Sequence, residues 1–417
     1  MTPFLDHSAK EFKVRLFFFA FIVFVNLNQI IFAFTASTMK TNTVKLEEPG
    51  WNPFVKKRLV EIIQEKKGRN LPVVFDFDNT LVCRDIGEAT FALMVRDGVL
   101  TPEKIPLGIT PVPLFEGDLM EVYQAYLEAS SHHVLDKAPY LNAYAWLVQI
   151  MAGLTPQEII QMTSSAYHQG AAENDMKHAT ALTNIVVTPQ KTEALVPYFY
   201  PEMVELVAEL LKADYDVWVI SASNVWTVRW MVTQVLNKKL QERGVKKGIK
   251  PQHVIGLSTL LFGPEKRLSK DLFLTIENMK YANFDEDTLN KYKLSTQIVP
   301  PMSAYYGKSA NILQWIKKTP YLIAGDSPND HGMMVMAENK LWITRLEKPA
   351  YQKETIELAL LNNPNTWLFQ PTLTTHSSGF ISDAADLAKR KNLVTEKITE
   401  SVQLLKTYRL LKNFDSN

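Results

Sequence analysis

The chain has 417 residues, 46% of them hydrophobic and 21% charged, and a formal net charge of +1. That length holds one large domain or two modest ones around a sizeable core, and the near-balance of charge argues against nucleic acid as the main partner. With one cysteine, Cys83, an intramolecular disulfide and a CxxC zinc or redox site are both excluded.

The N-terminal stretch carries a basic lead (Lys10, Lys13, Arg15), ten apolar residues from Leu16 to Val25, and then small residues around Ala36 and Ser37. An unbroken apolar run of that length is short for a bilayer, which takes roughly 20 residues. It suits a secretory signal peptide over residues 1–37, cleaved near Ala36–Ser37, and export to the periplasm or beyond. The open alternatives are a retained membrane anchor over residues 16–36, the one membrane contact the sequence suggests, and translation from Met39.

A polar linker and an amphipathic helix beginning at Pro53 follow. The run Val73–Phe77 reads as a buried strand. From Gly87 to about Val196 apolar residues recur at spacings of three and four, which predicts a helical block. Its clearest helices start near Gly87, Asp118, Tyr140 and Thr155. Helix and strand then alternate. A helix from Tyr200 leads to the strand Asp216–Ser223, and a helix follows from Asn224. A β-rich region runs from His253 to about Val299. Next come a helix from Gly307, the strand Pro320–Ser327, a short helix and the strand Lys340–Leu346. Such alternation predicts a parallel sheet covered on both faces.

Four motifs carry the chemistry: "DFDNT" (Asp76, Asp78, Thr80), Ser221 in "VWVISAS", Lys308 in "YYGKSANI", and "AGDSPND" (Asp326, Asp330). All but Lys308 lie at or just past the carboxyl end of a predicted strand, where open α/β sheets bind ligands. Gathered there, the carboxylates would repel, by about 4 kcal/mol for two charges 4 Å apart at an effective dielectric of 20. A divalent cation relieves this, and oxygen-only ligands favour Mg²⁺. Lys308 would meet a phosphate oxygen. Ser221 would hold another, with the N–H groups at the start of the following helix. Asp76 is placed as a nucleophile that forms an aspartyl-phosphate, and Asp78 as the acid and base that serves it. Other readings stay open for some of these residues: Ser221 and Asp330 also suit helix caps, and Lys308 an ordinary surface lysine.

The order DxDxT, strand–Ser, Lys, GDxxxD resembles the haloacid dehalogenase (HAD) superfamily. The resemblance covers about residues 60–85 and 200–345. It implies an α/β fold, a Rossmann-like core over 55–86 and 197–370, with a helical cap (87–196) inserted after the first motif strand. Residues 371–417 would form a helical tail. It also implies Mg²⁺ on Asp76, the Asp78 carbonyl and Asp326, with Asp330 in support, and a phosphoryl group on Thr80, Ser221 and Lys308. An acid at position 78 favours a phosphatase over a dehalogenase. The insert resembles the phosphoserine phosphatase-like branch, and short segments resemble bacterial phosphorylcholine phosphatases.

That last likeness would put Asp85 and Glu88 at the substrate end, where carboxylates and aromatic faces such as Tyr123 and Tyr126 suit an ammonium headgroup. Tyr140, Tyr144 and Trp146 are further candidates, and all of these aromatics also suit a cap core. The expected activity is Mg²⁺-dependent hydrolysis of a small phosphate ester, phosphocholine- or phosphoethanolamine-like. A phosphotransferase or phosphomutase using the same intermediate, and a catalytically silent binding protein, are the alternatives.

Overall fold

The computed structural model describes residues 44–109, 119–131, 143–169, 184–186, 193–271, 285–375, 377–390 and 395–414. The chain divides into Met1–Val44 and Lys45–Asn417, and every element below belongs to the second unit. Helix α1 (Pro53–Glu65) starts where Asn52 accepts the N–H groups of Phe54 and Val55, and buries Val55, Leu59, Ile62 and Ile63.

Seven strands form the central sheet: β1 (Pro72–Phe75), β2 (Asp216–Asn224), β3 (Val254–Leu257), β4 (Leu322–Gly325), β5 (Asn339–Arg345), β6 (Trp367–Leu373) and β7 (Gly379–Phe380). Their spatial order is β7-β6-β5-β4-β1-β2-β3. Every pairing is parallel except β6 with β7 at one edge. The chain moves outward from β1 through β2 to β3, then returns to β4 on the other side of β1. The crevice between β1 and β4 is thus the switch point where α/β sheets bind ligands. β1, β4 and β6 are buried along their whole length, as a sheet covered on both faces requires.

The insert after β1 holds helices α2 (Ile86–Arg96), α3 (Leu119–Ser131), α4 (Ala143–Gln149) and α5 (Pro156–Gln169). They share a core in which Phe91 meets Tyr123 edge-on at 5.7 Å and Trp146 at 6.4 Å, and Tyr126 meets Trp146 at 6.0 Å. Aromatic edge-to-face packing of this kind adds to simple area burial. Helix α6 (Pro201–Lys212) leads into β2. Helix α7 (Val225–Trp230) follows it and continues through a π turn and a further helical stretch to Glu242.

Three features depart from the expected pattern. The helical block contains an antiparallel hairpin, Asn184–Val186 against Glu193–Leu195. The β-rich segment is a separate three-stranded antiparallel sheet of Thr259–Phe262, Leu268–Ser269 and Lys293–Ile298. Its Leu261 and Leu294 are buried in the core of the inserted helices. The expected helical tail begins instead with β6 and β7, which extend the main sheet. Only then come helices α11 (Ala384–Lys389) and α12 (Glu396–Thr407). Strand β6 was hidden because its first residues follow a proline turn and it includes Pro371, a residue that reads against a strand.

Candidate active site

β1 and β4 are neighbours, so the residues that follow them meet. The Asp76 N–H continues the ladder to the Ala324 carbonyl at 3.0 Å, and the chain then turns over Phe77, whose carbonyl accepts from Leu81 at 2.8 Å. Asp76, Asp326 and Asp330 come together with one carboxylate oxygen from each within 4.8 Å of the others, and all three are buried. Gly325 permits this. A Cβ there would sit 2.7 Å from the Asp330 Cβ.

Lys308 comes from helix α8 (Tyr306–Asn311), which continues as a π turn to Ile316. Its Nζ donates to Asp76 Oδ1 and Asp330 Oδ1, each at 2.6 Å, and its side chain is 1% exposed. The opposed charges hold the ammonium above its usual range despite burial. The surface-lysine reading is therefore excluded. Asp330 also accepts the N–H groups of Asp326 at 3.0 Å and Ser327 at 3.2 Å, so it caps the turn that leads into helix α9 (His331–Met334) and anchors Lys308 at once. Thr80 Oγ1 donates to Asp76 Oδ2 at 3.1 Å.

One ammonium cannot neutralise this cluster. Burial and the Asp330 charge push the Asp76 carboxyl up to about 7, against the pull of Lys308. Burial raises Asp326 well above the carboxylate range, with Arg345 only partly opposing. The Arg345 Nε lies 2.9 Å from Asp326 Oδ2, yet the pair is not aligned as a hydrogen bond, and Oδ2 is a buried acceptor without a donor. An orphaned carboxylate oxygen among three crowded acids, with oxygen as the whole donor set, fits a hard divalent cation.

The Asp78 carboxylate faces elsewhere. Its Oδ1 accepts the Ile86 N–H at 2.9 Å. Its Oδ2 accepts Ser223 Oγ at 2.7 Å and Ser221 Oγ at 3.3 Å. Burial, then the Asp85 charge, raises it well above the usual range. Ser221 sits on β2 rather than at a helix start. The cap of α7 is Asn224, which accepts the Trp226 N–H at 2.9 Å, so the expected helix N–H groups begin three residues further on.

These residues open on a cleft of about 340 Å³, lined by Asp76, Asp78, Ser221 and Asp326 and, further out, Asp85 and Glu88. Asp85 caps α2 through the Glu88 N–H at 2.9 Å, and burial followed by the Glu88 charge pushes its carboxyl up to about 7. The expected aromatic headgroup walls are placed differently. Tyr126 is 4% exposed within the core of the inserted helices, and Tyr123, 1% exposed, reaches only a narrow side cavity beside Asp85. Both point inward because the apolar face of α3 meets Phe91 and Trp146. Tyr144 does line the cleft, Trp146 is core, and Tyr140 lies outside the described residues.

Sequence reasoning missed Ser223, Arg84, Arg345, Lys348 and Tyr351, all on the cleft wall. Ser223 shares a strand face with Ser221 at spacing two, which was a readable signal. The run "TRLEKPAY" at the end of β5 is polar at the carboxyl end of an apolar strand, the same signature as "DFDNT". Arg84 is locked by Val196 O at 2.8 Å and Thr374 O at 3.2 Å.

No family model matches the chain, and no curated protein does. Among solved structures, a conserved functionally unknown protein from Anaerococcus prevotii is 16% identical with a TM-score of 0.52, covering 81% of this chain and 97% of that chain. That likeness concerns the fold. A protein of unknown function from Bordetella pertussis is 15% identical with a TM-score of 0.39, covering 72% and 98%. A HAD family hydrolase from Salmonella enterica serovar Typhi is 9% identical with a TM-score of 0.34, covering 74% and 78%.

Proposed function

We propose that the protein is a HAD-type phosphomonoester hydrolase working through an aspartyl-phosphate on Asp76. One observation carries this reading: Asp76, Thr80, Lys308, Asp326 and Asp330, drawn from three distant segments, converge at the switch point of a parallel sheet.

Asp76 and Asp326 are the residues that would hold Mg²⁺, with Asp330 in support. The ion supplies charge neutralisation for the carboxylates and for the phosphoryl oxygens. In the first half-reaction an Asp76 carboxylate oxygen bonds to phosphorus, the bond from phosphorus to the leaving oxygen breaks, and Asp78 gives that oxygen a proton. Burial raises the Asp78 carboxyl above its usual range, the direction a general acid needs. In the second, water attacks phosphorus, its proton passes to Asp78, and Asp76 is released. Lys308 holds Asp76 in place and faces the phosphoryl charge throughout.

Turnover of p-nitrophenyl phosphate with Mg²⁺ tests this. Asp76→Asn should lose activity by about 10³-fold or more, since it removes the nucleophile on which both steps depend. Full activity in that variant would overturn the assignment. We further propose that residues 1–37 direct export. Mass spectrometry of the mature protein should find a start near Ser37, and an intact Met1 on released protein would argue against it.

A further inference from the structure

Two cations on the cleft wall have no role in the chemistry above. Arg345 ends β5, and Lys348 sits just before helix α10 (Pro349–Leu361). The Arg345 side chain is 12% exposed, and among the described residues its guanidinium donates no hydrogen bond. It is ion-paired with Asp326 Oδ2 at 2.9 Å, out of hydrogen-bond alignment, and lies over the Tyr351 ring at 5.3 Å. Lys348 keeps access to solvent, and its ammonium lies 5.9 Å from the Tyr351 ring, with the Glu88 and Glu347 charges acting on it but, among the described residues, no hydrogen bond from it. The ion pair answers the charge of Arg345 but leaves its hydrogen-bond donors open, and an acceptor in the cleft would fill them. The amino end of α10 adds positive potential at the same place.

The transferred phosphoryl group does not need these two. It has Lys308 and the cation on its own side. Nor does a purely cationic leaving group suit them, since Lys348 and Arg345 would repel it. The acids Asp85 and Glu88, at the start of α2, leave room for an ammonium as well, whereas the open donors of Lys348 and Arg345 on the β5–α10 wall suit an anion.

Resting on the phosphatase reading, we infer that the leaving group carries a second anionic group, a carboxylate or a further phosphate, held by Lys348 and Arg345. Lys348 and Arg345 then set specificity, and Tyr351 orients them through its ring.

The test compares kcat/KM within matched substrate pairs that differ by one anion, using the full chain with Mg²⁺. Phosphoserine against phosphoethanolamine, and 3-phosphoglycerate against glycerol 3-phosphate, add a carboxylate. Fructose 1,6-bisphosphate against fructose 6-phosphate adds a phosphate. The anionic member should win by about tenfold or more in the carboxylate pairs or in the phosphate pair, which identifies the group. Lys348→Met should bring that ratio to within about twofold, and Lys348→Glu should turn the phosphoserine pair toward phosphoethanolamine. Ratios within one variant do not depend on how much of it is folded. Equal or reversed preference in every wild-type pair, or an unchanged ratio in Lys348→Met, overturns the inference. If p-nitrophenyl phosphate is still turned over, the phosphatase reading survives that failure. If no phosphate ester is turned over, both fall.

Discussion

Asp76 and Asp78 stand two residues apart and meet opposite surroundings. Asp76 faces an ammonium, a threonine hydroxyl and two further acids. Asp78 faces two serine hydroxyls and a backbone N–H, away from that cluster. Two carboxyls in such different settings can divide the work of nucleophile and acid, because environment separates their protonation. The division gives a residue-scale prediction. Asp78→Asn should slow hydrolysis of alkyl phosphates by about 10²–10⁴-fold, the usual contribution of a placed acid. It should slow p-nitrophenyl phosphate far less, because that leaving group departs without a proton. Equal losses on both substrates, measured as kcat, would remove Asp78 from the acid role.

At the scale of elements, α6 does more than cover the sheet. Glu205 accepts the Glu48 N–H at 3.2 Å and the Trp51 Nε1–H at 3.1 Å, which straps residues 47–51 onto the helix. Glu202, one turn earlier, is 7% exposed, and burial pushes its carboxyl up to about 7. The sign follows from linkage. An acid whose folded value is raised binds more protons folded than unfolded, so folding is favoured below the unfolded value and weakened as pH rises from about 4.5 through about 7. Glu202→Gln, which keeps the shape and removes the charge, should therefore raise the thermal midpoint at pH 8 and leave it nearly unchanged at pH 4.5. A midpoint lowered by the same amount at both pH values would mean that the carboxylate is needed as an acceptor.

On the scale of the whole molecule, the sheet depends on its C-terminal strands. β6 pairs with β5 from Lys340↔Trp367 to Arg345↔Thr372, and all of its residues are buried. β7 closes its outer edge, and α12 buries Ile398 and Leu405 in the flanking core. A chain ending at residue 366 would leave β5 as a long apolar edge, a template for association. It is expected in the insoluble fraction, with size-exclusion of any soluble remainder showing aggregates. A soluble monomer with native far-UV circular dichroism would show that the last two strands and the two helices after them are an accessory. Among the described residues, no helix is long and apolar enough to cross a membrane.

The α/β class, the central strands and the four motifs were legible because each is a local signal: an apolar run of strand length, a helical spacing of apolar residues, or a polar group where such a run stops. Parallel connection then carries the ends of β1, β2 and β4 to one edge, so the motifs' convergence was foreseeable from order alone. The hairpin at 184–195, the packing of 259–298 onto the inserted helices, and β6 with its internal proline were not, because short strands take their identity from partners far away in the chain. The same holds at the site. Tyr123 and Tyr126 have the composition of a binding wall, yet the α3 face that carries them is apolar and turns toward Phe91 and Trp146. Arg345, Lys348 and Tyr351 sit in a polar run at a strand end, and they line the cleft because β5 lies beside β4. Chemistry-bearing residue types were set by the sequence, while which side chains face the substrate was decided by packing, since burial of the apolar faces leaves each helix and strand a single orientation.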